Sequence, residues 1–275
     1  IPAEWEPHEC FWMSWAVDPV WSRPDTTKIR DALSRIAHTI ARYEPVRMLA
    51  PPGPLLRAAQ QEFNGCANIN VLDAPVSDFW MRDIMPTFAF RSLGAKREVV
   101  AIDWHFNGWG RVPPHSAVAG SGLAESAAVI FGVPRIEASF VAEGGALVTD
   151  GNGTMIVTRS CLLNSNRNPL RAGIDRQTEI SSGLSELGVR KVIWLEGDPC
   201  EPITSGHADG YVLCAPNNVI LVEAVDDPEV DSPFWREHDI ALLENARNTD
   251  DFPFTIHRIN SPRERYCRGD PEYFA

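Results

Sequence analysis

Residues 143–158 read EGGALVTDGNGTMIVT: a carboxylate, two glycines, an apolar run, a four-residue polar turn and a second apolar run rich in β-branched side chains. DGNG (150–153) supplies the backbone freedom of a tight turn, and TMIVT (154–158) has strand composition. The stretch is therefore a polar head followed by strand, turn and strand. The same order recurs on both sides. SDFWMRD (77–83) leads into PTFAF, LGAKR and EVVAID, and GHAD (206–209) leads into GYVLC, APNN and VILVE. With Asp83, Glu143 and His207 as markers, the heads lie 60 and 64 residues apart, a spacing regular enough to indicate repeated units. Units set around an axis with their heads at one end bring side chains remote in sequence to one pocket. Carried forward from His207, the interval ends near Asp270, so a fourth head is expected within YCRGDPEYFA (266–275).

Helical patterns alternate with these strands. Residues 25–43 place Ile29, Leu33, Ile36, Ala37 and Ile40 on one face, after capping candidates Asp25 and Thr26. A second helix is expected over 232–246, with Ser232 as cap and Pro233 in its first turn. A third is expected over 115–131, where Gly120 and Gly122 are unfavourable. EVVAIDW (98–104), KVIWL (191–195) and NVILVE (218–223) read as further strands. The class is α/β or α+β. Linkers and low-complexity tracts are absent, so residues 1–275 are read as a single domain.

At 275 residues and 44% hydrophobic, the chain can bury a large core. Its 37 acidic against 25 basic side chains give a net charge of −12, which disfavours nucleic acid and anionic membranes as partners and favours a small cation. No membrane span and no secretory signal are visible, and the start without Met is expected to fall inside a longer reading frame. Six cysteines (Cys10, Cys66, Cys161, Cys200, Cys214 and Cys267) are scattered without a CxxC pair. Neither a disulfide scaffold nor a structural zinc site is indicated, and a reducing cytoplasm is the expected compartment. Homo-oligomerisation is left open.

Each head has a structural and a chemical reading. Asp78 and Asp83 flank Trp80 and Arg82, an arrangement that can receive a flat cation or form a salt-bridged loop in which Arg82 neutralises one aspartate. Glu143 precedes two glycines that permit close backbone approach, yet it also suits a solvated loop. His207 and Asp209 sit two positions apart, so in extended backbone both address one ligand; a hydrogen-bonded structural pair has the same spacing. Their equivalent places in successive units favour the chemical readings together. Asp83, Glu143 and Asp209 then supply carboxylates, Trp80 an apolar wall and His207 the one group that titrates near neutrality. Guanidinium, planar, always charged and ringed with donors, matches such a site. Magnesium or manganese is the competing ligand, while the lack of a second clustered histidine counts against zinc or iron; no metal and no cofactor is expected.

Longer motifs carry a resemblance. PAEWEPHECFWMSWAVDP (2–19), SDFWMRDIMPTF (77–88), FNGWG (106–110), EGGALVTDGNGTMIVTRSCLLNSNRNP (143–169), SGHADGY (205–211) and RERYCRGD (263–270) together resemble the agmatine deiminase and bacterial-type peptidylarginine deiminase family, in the guanidine-modifying pentein superfamily. The resemblance implies a five-bladed pseudosymmetric α/β propeller whose final unit lies beyond residue 275. It also implies hydrolysis of a guanidino group to a ureido product and ammonia through a cysteine-linked intermediate. Asp83 and Asp209 would hold the guanidinium, His207 would act as acid and then base, Glu143 would partner the imidazole or substrate, and Trp80 would line the pocket. The nucleophilic cysteine is expected in a glycine-rich segment of that final unit, with Cys214 and Cys267 structural. Agmatine or a related small guanidino compound is the expected substrate, with peptidylarginine less favoured. An amidinotransferase, or a guanidinium-binding protein without the nucleophile, would use the same fold.

Overall fold

The hairpin at 143–158 forms through the chemistry of its turn. Asp150 Oδ1 accepts from the backbone N–H groups of Asn152 (2.7 Å) and Thr154 (2.9 Å), while Gly151 and Gly153 take left-handed φ values of +72° and +89°. Such an Asx turn stands in for a backbone turn. Its first strand is shorter than ALVT suggests, because Gly144–Ala146 closes a 3₁₀ turn and only Val148–Thr149 joins the ladder.

The computed structural model describes residues 1–17, 26–111, 122–171, 173–224 and 234–260. Among them, twelve strands make four three-stranded sheets. The strands are β1 (Phe11–Ser14), β2 (Val46–Ala50), β3 (Ile69–Asp73), β4 (Thr87–Leu93), β5 (Lys96–Asp103), β6 (Arg135–Glu137), β7 (Val148–Thr149), β8 (Thr154–Thr158), β9 (Lys191–Leu195), β10 (Val212–Ala215), β11 (Val219–Ala224) and β12 (Thr255–Asn260). Three sheets share one plan. An antiparallel hairpin (β4-β5, β7-β8, β10-β11) is followed by a third strand (β6, β9, β12) parallel to the hairpin's second strand. A parallel neighbour requires a crossover, which helices Leu123–Phe131, Arg176–Glu186 and Phe234–Asn245 provide. The first sheet departs from this plan: β1, β2 and β3 are all parallel. It adds a unit that no polar head marks in the sequence. The α/β class is as expected, and no helix among the described residues is long and apolar enough to cross a membrane.

Burial follows strand alternation. All five residues of β8 are buried, and successive side chains face opposite ways. Met155 and Val157 therefore pack with Val100, Ile102 and Leu184, whereas Ile156 packs with Ile193, Val212 and Ile220. One strand thus joins the cores of its neighbours on both sides.

Several helical expectations need correction. Helix Thr27–Ile40 buries Ser34 and Ala37, with Leu33 and Ile40 half-buried, but Ile36 is 48% exposed because it sits at the margin of the apolar stripe. Thr26 makes no capping hydrogen bond, since its backbone is already helical. Of the helix expected over 115–131, residues 122–131 are described: Leu123–Phe131 is helical and Gly122, with φ +65°, stands at its N-terminal cap. Asp25, Gly120, Ser232, Pro233 and the expected head near Asp270 lie outside the described residues.

Helix Phe234–Asn245 is tied to the rest by Asp239, which is wholly buried and accepts from the backbone N–H groups of Glu196 (2.6 Å) and Gly197 (2.9 Å) and from the Tyr211 hydroxyl (2.7 Å). Asp239→Asn keeps the volume but turns an acceptor into a donor facing donors. Hydrogen bonds to buried charged groups contribute roughly 1.5–3 kcal/mol each. The substitution is expected to cost about 2–3 kcal/mol, read as a lower urea midpoint at unchanged slope; an unchanged midpoint would contradict this role.

Candidate functional site

The connections between sheets carry the polar heads. Asp83 lies in the short helix Met81–Ile84 between β3 and β4, Glu143 precedes the 3₁₀ turn between β6 and β7, and His207 and Asp209 lie between β9 and β10. Because the sheets repeat, these connections open at the same end. Gly145 is where they meet. Its N–H donates to Asp83 Oδ1 (2.9 Å), and its carbonyl accepts from the Asp209 N–H (3.1 Å). A β-carbon there would overlap the His207 ring and come within 2.8 Å of Asp83 Oδ1, so the second glycine of the head is a packing requirement. Ser205 (φ +61°) and Gly206 (φ +86°) then turn the chain so that His207 points inward.

His207 is the centre of the cluster. Its Nε2 lies 2.9 Å from Glu143 Oε1, and its Nδ1 lies 3.9 Å from Asp83 Oδ1 and 3.8 Å from Asp209 Oδ1. An ionised Glu143 can only accept, so Nε2 carries the proton directed at it. Glu143 is itself fixed by Arg167, whose Nε (2.7 Å) and Nη2 (2.6 Å) reach Oε1 with both side chains wholly buried. Arg167 also donates to the Thr204 carbonyl (2.8 Å), Asn166 Oδ1 (3.1 Å) and Ser205 Oγ (3.3 Å), so it joins the 143–168 segment to the loop that presents His207. On the other flank, Trp109 Nε1 donates to Asp83 Oδ2 at 3.0 Å.

Protonation follows from these contacts. Burial alone would lower the His207 pKa, but hydrogen bonds to Cys161 and Glu143 and the charge of Asp83 outweigh it, holding the imidazole well above its ordinary value. Burial would raise Glu143, yet the His207 hydrogen bond and Arg167 keep it below the usual carboxylate range. Burial pushes Asp83 up. Asp209 is pushed up to about 6, mainly by burial, with Asp83 adding to the rise and His207 and Arg82 opposing it. Arg82 pairs with Glu4 (2.6 Å) and lies 3.5 Å from Asp209 Oδ2, so the aspartate it meets is neither Asp78 nor Asp83.

These groups line one end of a cavity of about 540 Å³. Trp80, 42% exposed, stands at the mouth. Tyr211, Trp235 and Arg236 form part of the wall, and no cysteine among the described residues lines it. All five side chains expected from the sequence are present: Asp83, His207, Asp209 and Trp80 line the cavity, and Glu143 lies behind the imidazole. Arg167, Trp109 and Cys161 were not anticipated. Each lies inside a motif quoted above (FNGWG or TRSCLLNSNRNP), which was their only mark. Among the described residues, Glu143, Cys161 and His207 are the group whose donor atoms, all within 4.8 Å of one another, could hold an ion.

Gly145→Ala is expected to displace His207 and Asp83 while leaving the sheets intact. Guanidinium binding, measured by calorimetry, should fall by a factor of ten or more, a cost of about 1.4 kcal/mol, at an unchanged circular dichroism spectrum; undiminished binding would show that the head has room to spare.

The sequence profile of the Porphyromonas-type peptidyl-arginine deiminase family matches residues 1–274. An agmatine deiminase of Pseudomonas aeruginosa (strain LESB58) is 32% identical over 272 residues, covering 97% of this chain and 72% of that protein. An agmatine deiminase of Medicago truncatula is 31% identical over 276 residues, covering 97% and 72%. Among solved structures, agmatine deiminase of Enterococcus faecalis aligns with a TM-score of 0.79 at 25% identity, over 95% of this chain and 70% of that one. A match that runs through the converging heads and nearly the whole length has one meaning: the chain belongs to the Porphyromonas-type peptidyl-arginine deiminase family.

Proposed function

We propose that the protein hydrolyses the guanidino group of agmatine, or of a closely related small guanidino compound, to a ureido product and ammonia. The observation that carries this reading is an imidazole with carboxylates at both nitrogens: Glu143 behind it, Asp83 and Asp209 before it. Asp83 and Asp209 supply acceptors for the guanidinium N–H groups, and the flat walls of Trp80 and Trp109 suit a planar cation. The agmatine deiminases among the relatives support the choice of substrate.

The chemistry is proposed to be covalent. A cysteine thiolate adds to the guanidinium carbon, the C–N bond breaks, and the nitrogen leaves as ammonia with a proton from His207. Water then adds to the same carbon and gives one proton back to His207; the C–S bond breaks to regenerate the thiolate, and the second water proton passes to the departed ammonia or to solvent, leaving the ureido product. A raised imidazole pKa suits the first role, because the group enters the reaction as the acid. No cysteine among the described residues lines the cavity, and the sulfur is assigned to the glycine-rich segment that the family resemblance implies.

Ammonia release should be assayed across agmatine, other small guanidino compounds, free arginine and arginine-containing peptides; release from none of them would overturn the proposal. His207→Ala is expected to lower kcat by about 10²–10⁴-fold, the usual contribution of a positioned acid–base group. Asp83→Asn is expected to weaken substrate binding by roughly 2–5 kcal/mol, the scale for removing one partner of a buried ion pair.

The pH dependence has a definite sign. Asp209 must be ionised to accept from a guanidinium, and its carboxyl takes up a proton as pH falls through about 6. Affinity for substrate should therefore be retained above that value and decline below it. Asp209→Asn should flatten this acid limb, and a limb that persisted in the variant would assign it to another group.

A further inference from the structure

Behind His207, on the side away from the cavity, a cysteine that the proposed deimination leaves unused completes a donor set with Glu143 and the imidazole. Cys161 follows β8 in the short helix Arg159–Leu162, and its sulfur is 3.9 Å from Glu143 Oε1. Glu143 and Cys161 are wholly buried, and His207 is only 8% exposed. Glu143 Oε2 has no hydrogen-bond partner despite that burial. A buried carboxylate oxygen without a donor is costly unless something cationic can meet it.

We propose that Glu143, Cys161 and His207 form an inhibitory site for a thiophilic divalent cation, zinc by the chemistry of its ligands. Zinc takes sulfur at about 2.3 Å and nitrogen or oxygen at about 2.0–2.2 Å, which sets tetrahedral ligand atoms roughly 3.3–3.8 Å apart. Donor atoms of the three side chains lie within 4.8 Å of one another, and the 3.9 Å sulfur and 2.9 Å imidazole separations are both to Oε1, so a metal bonded through Oε2 requires the carboxylate to turn toward them. Magnesium and manganese favour all-oxygen shells and suit the site poorly. A single imidazole spoke against zinc in the sequence; the sulfur from the end of β8 supplies the missing soft ligand.

Arg167 is the main objection, since its guanidinium touches Glu143. Its contacts fall on Oε1, and its other N–H groups are held by Thr204, Ser205 and Asn166, so Oε2 of the same carboxylate keeps its lone pairs without a donor. Charge also balances. Glu143, Asp83 and a Cys161 thiolate carry three negative charges against one positive on Arg167, and the remaining two match a divalent ion. Binding releases the thiol proton and the proton between His207 and Glu143, with no redox change. The imidazole is then fixed by the metal and can no longer relay protons.

Cobalt(II) reports the site directly. Titration of the purified protein is expected to produce a thiolate-to-cobalt charge-transfer band that zinc abolishes by displacement. The band should vanish in Cys161→Ser and persist in Cys200→Ser, which removes an exposed cysteine. Zinc inhibition of ammonia release should weaken by at least about 10–100-fold in Cys161→Ser, the scale already seen for loss of an outer-shell partner. A charge-transfer band or zinc inhibition unchanged in that variant would overturn the proposal. If Cys161→Ser fails to fold, X-ray absorption of the cobalt-loaded unmodified protein decides: one sulfur at about 2.3 Å supports the site, and a shell of nitrogen and oxygen alone overturns it. The spectroscopic arms need no turnover, so this inference and the deiminase reading fail separately.

Discussion

A wholly buried carboxylate facing a wholly buried guanidinium holds the site together. Taking Glu143 and Arg167 out of water costs several kcal/mol per ion, which their attraction offsets only with good geometry and further hydrogen bonds. Two guanidinium nitrogens on one carboxylate oxygen, with Thr204, Asn166 and Ser205 occupying other N–H groups, meet that condition. The pair then does more than survive burial. It gives His207 a fixed acceptor whose carboxyl is held below the usual range, and the imidazole's orientation and part of its raised pKa follow from it. Removing either partner would leave an unpaired charge in the interior, so the pair belongs to folding and function alike.

Repetition of the sheets explains why such a site can be assembled from distant residues. Each connection between sheets leaves the fold at the same end, and each carries polar groups that the strands could not bury. Gly145 then sets how closely the connections approach, because its own backbone N–H and carbonyl bridge Asp83 and Asp209. Any side chain there would hold the two aspartates and the imidazole apart.

The parts legible in the sequence were those with local signatures. Hairpin turns declare themselves through Gly, Asn and Asp, and β8 and β9 coincide with TMIVT and KVIWL. Asp83, Glu143, His207 and Asp209 stood out because each preceded a hairpin. What escaped notice depends on distance. The first sheet has no hairpin, since its strands are parallel and linked by helices, so nothing marked it as a unit. Trp109 lies 26 residues from Asp83 and Arg167 24 from Glu143, and neither contact has a periodicity that announces it. Ile36 satisfied helical spacing yet faces solvent, because a stripe defined by sequence alone does not say where the neighbouring sheet ends.

Arg82 adds a constraint on what the cavity accepts. Glu4 holds its guanidinium near Asp209, so a group of the same chemistry as the proposed substrate already stands beside that carboxylate. That proximity helps to keep Asp209 ionised against burial. It also means that Asp209 is shared: a ligand must bond the oxygen facing His207, since the other faces Arg82. Asp83 is divided in the same way, with Oδ1 toward Gly145 and the imidazole and Oδ2 toward Trp109. The carboxylate oxygens are thus distributed so that those turned to His207 converge on one small volume. A point cation would satisfy only part of that surface, whereas a planar group with donors around its edge reaches both aspartates at once.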